Sequence, residues 1–319
     1  MSRSAGGGRI LVVGDVMTDI IVRPEGPLVR GSDRRAAIRS RPGGSGANQA
    51  VWLGSMGTKV SFVARVGAAD KPHLEAYFKG FCVDPVLVAD PLLPSGMLVT
   101  IVDPDGERSF LTDRGANLAL SPSDMPVWLL DDTSMVLVSG YSYFADGPRK
   151  AVHCLTEEAR RRFIPLAVDA ASAGFLAEVG AANFLAWTAG ADLLLCNGEE
   201  AAALSGMGDL DAQMRFLGQH FPRVVVKRGA LGAALGGRAG VALDLPAPAV
   251  EVVDTTGAGD AFAAAFLSAE LAGRTPDACL GAGIAAGSAA VQALGGQPGR
   301  GPIRRAGTAP AARTAPTTS

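Results

Sequence analysis

The sequence predicts an α/β fold: a doubly wound, mainly parallel sheet with helices on both faces, carrying a small β lid. Three observations predict it. Ile10-Leu11-Val12-Val13-Gly14 is a short, continuous apolar run closed by glycine, the composition of a buried parallel strand. From about residue 135 onward, such runs alternate with helical patterns in a βαβα rhythm. Two stretches, about 20–41 and 96–114, fit neither pattern and read as exposed β-ribbons. Ligands of open α/β sheets bind beyond the C-terminal strand ends, so a lid over that edge is the natural use of these ribbons.

The elements follow in order. Residues 1–8 read as a flexible leader. The ribbon over 20–41 carries Arg23, Arg30, Arg34, Arg35, Arg39 and Arg41, which suit a solvated edge that resists aggregation. A helix is expected after Gly46 to about Met56, then a strand over Lys59–Arg65. The second ribbon, 96–114, turns at Asp103-Pro104-Asp105-Gly106. Strands are expected near 135–139, 165–169, 192–196 and 223–228. Helices are expected near 147–163, 176–188, 198–205 and 209–219. A hairpin over 231–246 and two helices, 258–272 and 276–294, complete a single domain over 9–298. The tail, 299–319, is Pro-, Ala-, Thr- and Arg-rich and is expected to be disordered.

Composition narrows the function. A chain of 319 residues with 48% hydrophobic and 19% charged residues can bury one large core. A net charge of −2 argues against a nucleic-acid partner. The apolar N-terminal stretch is interrupted by Asp15 and Asp19 and does not read as a signal peptide. Ala278 to Gly299 is uncharged but rich in Ala and Gly, so it reads as a packed internal helix rather than a membrane span. Gly281-x-Gly283-x-x-Ala286 lies in that run and reads as helix packing rather than as a dinucleotide site. Cys82, Cys154, Cys196 and Cys279 form no C-x-x-C pair and read as reduced core residues of a cytoplasmic protein. The three histidines lack metal-ligand spacing.

The strongest motif is Asp254-Thr255-Thr256-Gly257-Ala258-Gly259-Asp260-Ala261-Phe262. It places two glycines and a carboxylate where a loop turns into a helix. Helix starts present unpaired N–H groups to an anion, and Gly257 and Gly259 let the backbone come close. Asp260 there could take a proton from a substrate hydroxyl, or merely cap the helix. Gly43-Gly44-Ser45-Gly46 also leads into a helix, and Asn48 offers the donor and acceptor that suit a sugar diol. Asp15 and Asp19 follow the first strand and suit several hydroxyls, or a turn. Asn197 and Glu200 could hold water on Mg²⁺, or form a helix cap with first-turn acids. Lys227, Gly229 and Gly232 follow a strand and suit an adenine ring or a phosphate, or a plain hairpin turn. No G-x-x-x-x-G-K-[ST] loop is present.

Taken in order, these pieces resemble the PfkB (ribokinase-like) carbohydrate kinases. The 43–50 stretch resembles their first signature, Asn197-x-x-Glu200 their middle motif and 254–262 their second signature. The resemblance implies a ribokinase-like fold and ATP-dependent phosphorylation of a hydroxymethyl group. It implies Asp260 as the base, with Gly257, Ala258, Gly259 and Asp260 forming the anion hole. It places Mg²⁺ and phosphates at Asn197 and Glu200, substrate at Asp19, Gly43, Gly44 and Asn48, and nucleotide near Lys227, Gly229 and Gly232. It also implies a monovalent cation, K⁺, at Asp254, Thr256, Ala290 and Gly295, although Gly299 stands where ribokinases carry a hydroxyl residue.

Substrate features diverge from ribokinases. Ser45 stands where they carry Lys, Met17 lies near the position of an Asn, and no Glu follows Val138-Ser139-Gly140-Tyr141. Arg114 suits a carboxylate, as in the 2-keto-3-deoxygluconate kinases, so a sugar acid is an alternative substrate. A nucleoside is another, given Tyr141, Tyr143 and Phe144 as candidates for a base slot. A non-catalytic sugar or nucleotide binder is the reading from a different class. The lid ribbons also offer a homodimer contact, and no membrane partner is expected.

Overall fold

The computed structural model describes residues 8–103 and 108–299. The expected leader (apart from residue 8), most of the Asp103–Gly106 turn and the tail beyond Gly299 lie outside the described residues. In chain order the elements are β1 (Arg9–Val13), β2 (Met17–Pro24), β3 (Ala36–Gly43), α1 (Ser45–Ser55), β4 (Lys59–Gly67), α2 (Lys71–Lys79) and β5 (Val83–Asp90). Then come β6 (Gly96–Val102), β7 (Arg108–Asp113), β8 (Thr133–Ser139), α3 (Asp146–Arg161) and β9 (Leu166–Asp169). The chain continues through α4 (Ala173–Val179), α5 (Ala181–Trp187), β10 (Leu193–Asn197), α6 (Gly198–Ser205), α7 (Leu210–Leu217) and β11 (Arg223–Lys227). It closes with β12 (Ala233–Gly237), β13 (Gly240–Leu245), α8 (Ala258–Leu271) and α9 (Pro276–Ala290).

The large sheet has the order β13-β12-β11-β10-β9-β8-β1-β4-β5. The pairings from β11 through to β5 are parallel, and β12 and β13 add an antiparallel edge. Strand β1 shows why the sheet is covered on both faces. Ile10 and Val12 enter one core with Phe62, Leu53, Phe266 and Leu280, beneath α1, α2, α8 and α9. Leu11 and Val13 enter a second core with Val136, Leu155, Phe184 and Leu194, beneath α3 to α7. A strand buried on both faces is apolar at every position, and that composition marked β1 in the sequence.

The second sheet has the order β3-β2-β6-β7 and is the lid. Residues that pair directly share a face. Met17, Asp19, Leu98, Phe110 and Thr112 turn toward the large sheet's cleft. The opposite face carries Ile20, Val22, Ile38, Val99, Ile101 and Leu111.

Several expectations need correction. The helix expected over 176–188 is two helices, α4 and α5, because Gly180 sits between them at φ 83°. Helix α2 and strand β5 were not expected. The segment of β5, Val83-Asp84-Pro85, carries a proline that a central strand would reject, and β5 is the edge strand. Cys82 and Cys154 are exposed, and only Cys196 and Cys279 are core residues. The packing reading of Gly283 holds: a Cβ there would meet the Phe262 ring at 2.9 Å.

Candidate active site

The strand order reverses beside β1, which has β4 on one side and β8 on the other. A crevice opens at such a switch point, outside the C-terminal strand ends. Here it is a cleft of about 1060 Å³. Asp15, Tyr141, Asp169, Asn197 and Lys227 line it, each at or just beyond the C-terminal end of its strand. Asp19, Leu98, Phe110, Thr112 and Arg114 line it from the lid side, and residues 255–260 close the floor.

Asp260 sits in the first turn of α8. The N-cap of that helix is Gly257 at φ 72°, so Asp260 is not the cap. A Cβ on Gly257 would lie 2.3 Å from the Gly296 backbone, which makes glycine obligatory there. The Asp260 carboxylate is held by three donors from α1: Ser45 Oγ at 2.7 Å, Asn48 Nδ2 at 2.9 Å and Gln49 Nε2 at 3.3 Å. Burial and the nearby Asp169 carboxylate push its pKa up to about 7, against the pull of the Asn48 and Ser45 bonds and Lys227. A carboxylate poised there can accept a proton near neutral pH.

Asp15 is more of a scaffold than a free hydroxyl acceptor. Its Oδ1 accepts from Gly46 N and Ser139 Oγ, and its Oδ2 lies 3.6 Å from Arg114 Nη2. Asp19 is different: its Oδ1 is buried without a hydrogen-bond partner among the described residues. Burial, then the Asp15 charge, pushes Asp19 up to about 6. Gly43 does not line the cleft; a Cβ there would collide with the Asp19 carboxylate, so it makes room for that side chain. Gly44 does line it, at φ 95°. Arg114 stacks with its Cζ 4.5 Å from the Tyr141 ring centroid and 5.8 Å from that of Phe175. Tyr143 is buried in the second core, which removes it from the expected base slot.

On the other side of the cleft, Asn197 and Glu200 form a reciprocal cap on α6. Glu200 N donates to Asn197 Oδ1, and Glu200 accepts from both Asn197 N and Nδ2. Burial raises the Glu200 pKa, and Lys227 opposes the rise. Lys227 Nζ donates to Asp169 Oδ2 at 2.9 Å. Burial alone would push the Lys227 ammonium down, but Asp169 and Glu200 outweigh it and the net shift is upward. The lysine also approaches the floor: a Cβ on Gly259 would lie 3.3 Å from its Nζ. Gly229 and Gly232 line the same side.

The residues read as a cation site also converge. Asp254 Oδ1 accepts from Thr256 N and Oγ1, and Oδ2 accepts from Gly295 N. Asp254 N donates to Val291 O, next to Ala290.

Gln49, Asp169 and Phe175 were not singled out from the sequence, and Ser45 was read only as a departure from the ribokinase lysine, not as a partner of Asp260. Ser45 and Gln49 carry a signal, since positions 45, 48 and 49 share one helix face. Asp169 and Phe175 carry none, because only the fold brings them to the cleft.

Fold and site together mark a phosphotransferase that acts on an alcohol group. The comparison with known proteins makes the class specific: the chain belongs to the pfkB family of carbohydrate kinases, whose model matches residues 8–301. It is 30% identical over 306 residues to the ribokinase of Arabidopsis thaliana, covering 91% of this chain and 77% of that one. It is 28% identical over 263 residues to the 5-dehydro-2-deoxygluconokinase of Halalkalibacterium halodurans, covering 78% and 79%. The solved structure of Arabidopsis thaliana ribokinase with ribose and ATP superposes with a TM-score of 0.77 at 26% identity, covering 92% of this chain and 97% of that one. The chain is thus a sugar or nucleoside kinase of a family that uses ATP. Among the described residues, no helix is long and apolar enough to cross a membrane.

Proposed function

We propose that this kinase transfers the γ-phosphoryl group of ATP to a hydroxymethyl group of a small sugar or sugar derivative, with Asp260 as the general base. The observation that carries the proposal is the setting of Asp260: a first-turn carboxylate with a pKa of about 7, fixed by three donors and facing the cleft. The base takes the hydroxyl proton as the oxygen attacks. The N–H groups of Gly257, Ala258, Gly259 and Asp260 at the start of α8 receive the developing phosphate charge. Asp19 and Asn48 bind substrate hydroxyls, and Lys227, Gly229 and Gly232 flank the nucleotide.

Asn197 and Glu200 fit a Mg²⁺ held through water. Both Glu200 oxygens are already engaged by Asn197, and the described residues contain no group of three His, Cys, Asp or Glu able to cage a metal. That suits an ion that keeps most of its waters and sits on phosphates, whose charge it would offset. Backbone carbonyls around Asp254, Thr256, Ala290 and Gly295 would hold K⁺. Replacing K⁺ by tetramethylammonium should then lower the rate. The single kinase unit proposed for 9–298 draws support from the extent of the family match. A homodimer through the apolar outer face of the lid is part of the proposal, and sedimentation of a Leu111→Lys protein as the same dimer as the wild type would remove it. A cytoplasmic location is also proposed, supported by four free cysteines.

Two observations bear on the substrate. Arg114 is already paired with Asp15, and Asp19 and Asp260 add two further carboxyl groups, so the substrate end offers little net charge to a sugar acid. Tyr141 and Phe175 meet edge to face and line the cleft together with the lid's Phe110, which favours a substrate with a flat apolar group, such as a riboside, as the second reading. The test is substrate-dependent ADP release with Mg-ATP across pentoses, hexoses, sugar acids and nucleosides, with Asp260→Asn alongside. Turnover of one class, lost in the variant, supports the proposal; a variant with the normal rate overturns the base assignment.

A further inference from the structure

The loop after α9 reaches back into the catalytic end. Gln297 Nε2 donates to Asn48 Oδ1 at 2.9 Å, and Tyr77 and Gln297 Oε1 are hydrogen-bonded in turn. Asn48 Nδ2 donates to Asp260 Oδ2 at 2.9 Å. The four side chains form one line: Tyr77, Gln297, Asn48, Asp260.

The direction of each bond in this line follows from the carboxylate outward. An ionised Asp260 can only accept, so Asn48 must present its NH₂ group. The Asn48 carbonyl oxygen then faces Gln297, which must present its own NH₂ group. The Gln297 oxygen then faces Tyr77, whose hydroxyl donates. Neither amide can turn over without setting two acceptors or two donors against each other. The loop itself is fixed by other bonds: Trp52 Nε1 donates to Gly296 O, Arg41 Nη1 to Leu294 O, and Gly295 N to Asp254 Oδ2.

We propose that Gln297 is a positioning residue for the reaction: it fixes the Asn48 amide so that its NH₂ group holds Asp260 in the ionised, accepting form. The proposal rests on the reading of Asp260 as the base. Gln297 touches neither Asp260 nor the cleft directly; its action passes through Asn48. The Asn48 bond lowers the Asp260 pKa, against burial and the Asp169 carboxylate. The titratable groups that bear on Asp260 are Asp169 at the end of β9, Lys227 at the end of β11 and Tyr141 beyond β8. All three lie outside the line, so substitutions at 297 leave them in place.

The test is the pH dependence of kcat, with saturating sugar and ATP, for wild type, Gln297→Ala, Gln297→Glu, Tyr77→Phe and Asp260→Asn. Gln297→Ala frees the Asn48 amide, and the acidic limb should rise by about one pH unit, the scale of one lost hydrogen bond to a charged group. Gln297→Glu keeps the shape but can only accept. It should turn the Asn48 carbonyl toward Asp260 and raise the limb further. Tyr77→Phe should move it least, in the same direction. At alkaline pH all three should recover most of the wild-type kcat, and KM for ATP should stay within about twofold, since neither Tyr77 nor Gln297 lines the cleft that holds Lys227 and Gly229. A uniform loss at all pH values, or limbs that coincide with the wild type while Asp260→Asn is inactive, would overturn the proposal. An Asp260→Asn protein with normal activity would instead overturn the base reading. Thermal unfolding of each variant identifies any loss that comes from misfolding.

Discussion

The two ends of the cleft are finished to different degrees. Around Asp260 the carboxylate has three donors, its helix start is pinned by Gly257 against Gly296, and Lys227 is paired with Asp169. Beneath the lid, Asp19 keeps a buried oxygen without a partner among the described residues, and Phe110 is 59% exposed although it lines the cleft. With Asp260 as the proposed base and Asp19 as the proposed substrate ligand, the contrast separates two kinds of work. Phosphoryl transfer needs charge placed in advance, so the reacting end carries its own partners. Recognition can leave a polar group for the substrate to satisfy, because an analogue that leaves it unpaired is rejected.

The comparison can be broken at four places. The largest effect is expected at Asp260. Asp260→Asn should lower kcat by roughly 10²–10⁴-fold, the usual scale for a lost general base. The same change should stabilise the fold in alkali. A carboxyl whose folded pKa is raised to about 7 binds its proton more tightly in the folded state, so stability is lost as pH rises from the ordinary carboxylate range through 7. At pH 8 the asparagine variant should therefore gain on the order of 1–2 kcal/mol, after discounting for screening at an open cleft. Urea unfolding of both proteins at pH 5 and pH 8 measures this, and an equal stability difference at the two pH values would contradict it.

Next is Gly44, at φ 95°, where a Cβ would lie 2.7 Å from Asp15 O. Gly44→Ala should cost about 2–3 kcal/mol, from backbone strain plus the clash. Its denaturation midpoint is the readout, and a loss within error of zero would show that the loop before α1 is freer than the structure implies. Asp19→Asn is smaller and of another kind. KM for the sugar should rise about tenfold with kcat changed only a few-fold. The wild-type KM should also improve as pH rises through about 6, while the variant's stays flat. The smallest effect is expected at Phe110. Phe110→Ala should cost about 1 kcal/mol of binding, and only for a substrate with a flat apolar group. Equal KM changes for a plain pentose and a riboside would remove the second substrate reading.

The sequence made some of this legible and hid the rest for physical reasons. Strands β1, β8, β10 and β11 were readable because burial on both faces demands an unbroken apolar run. Strand β5 was not, since an edge strand tolerates Asp84 and Pro85. The two glycine-rich helix starts were readable because the backbone there needs glycine wherever the side chains point. Asp169 was not, because a carboxylate at the end of a strand looks the same whether it faces solvent or Lys227. Arg114, which the sequence offered as a partner for a substrate carboxylate, lines the cleft, but its pairing with Asp15 depends on a contact 99 positions away in the chain, which no local pattern records.

The loop at 294–297 has a consequence for the order of events during synthesis. Gly295 and Gly296 tie the last helix to Asp254, Gly257 and Trp52, so the floor beneath Asp260 is closed by nearly the last residues of the fold. A ribosome delivers the first signature, the lid and most of the large sheet well before those residues emerge. The nascent chain can thus form the large sheet and bring Ser45, Asn48 and Gln49 to Asp260 before the Gly296 backbone closes on Gly257 and Gln297 reaches Asn48. The proposed base therefore gains the last of its indirect supports when this loop is laid down.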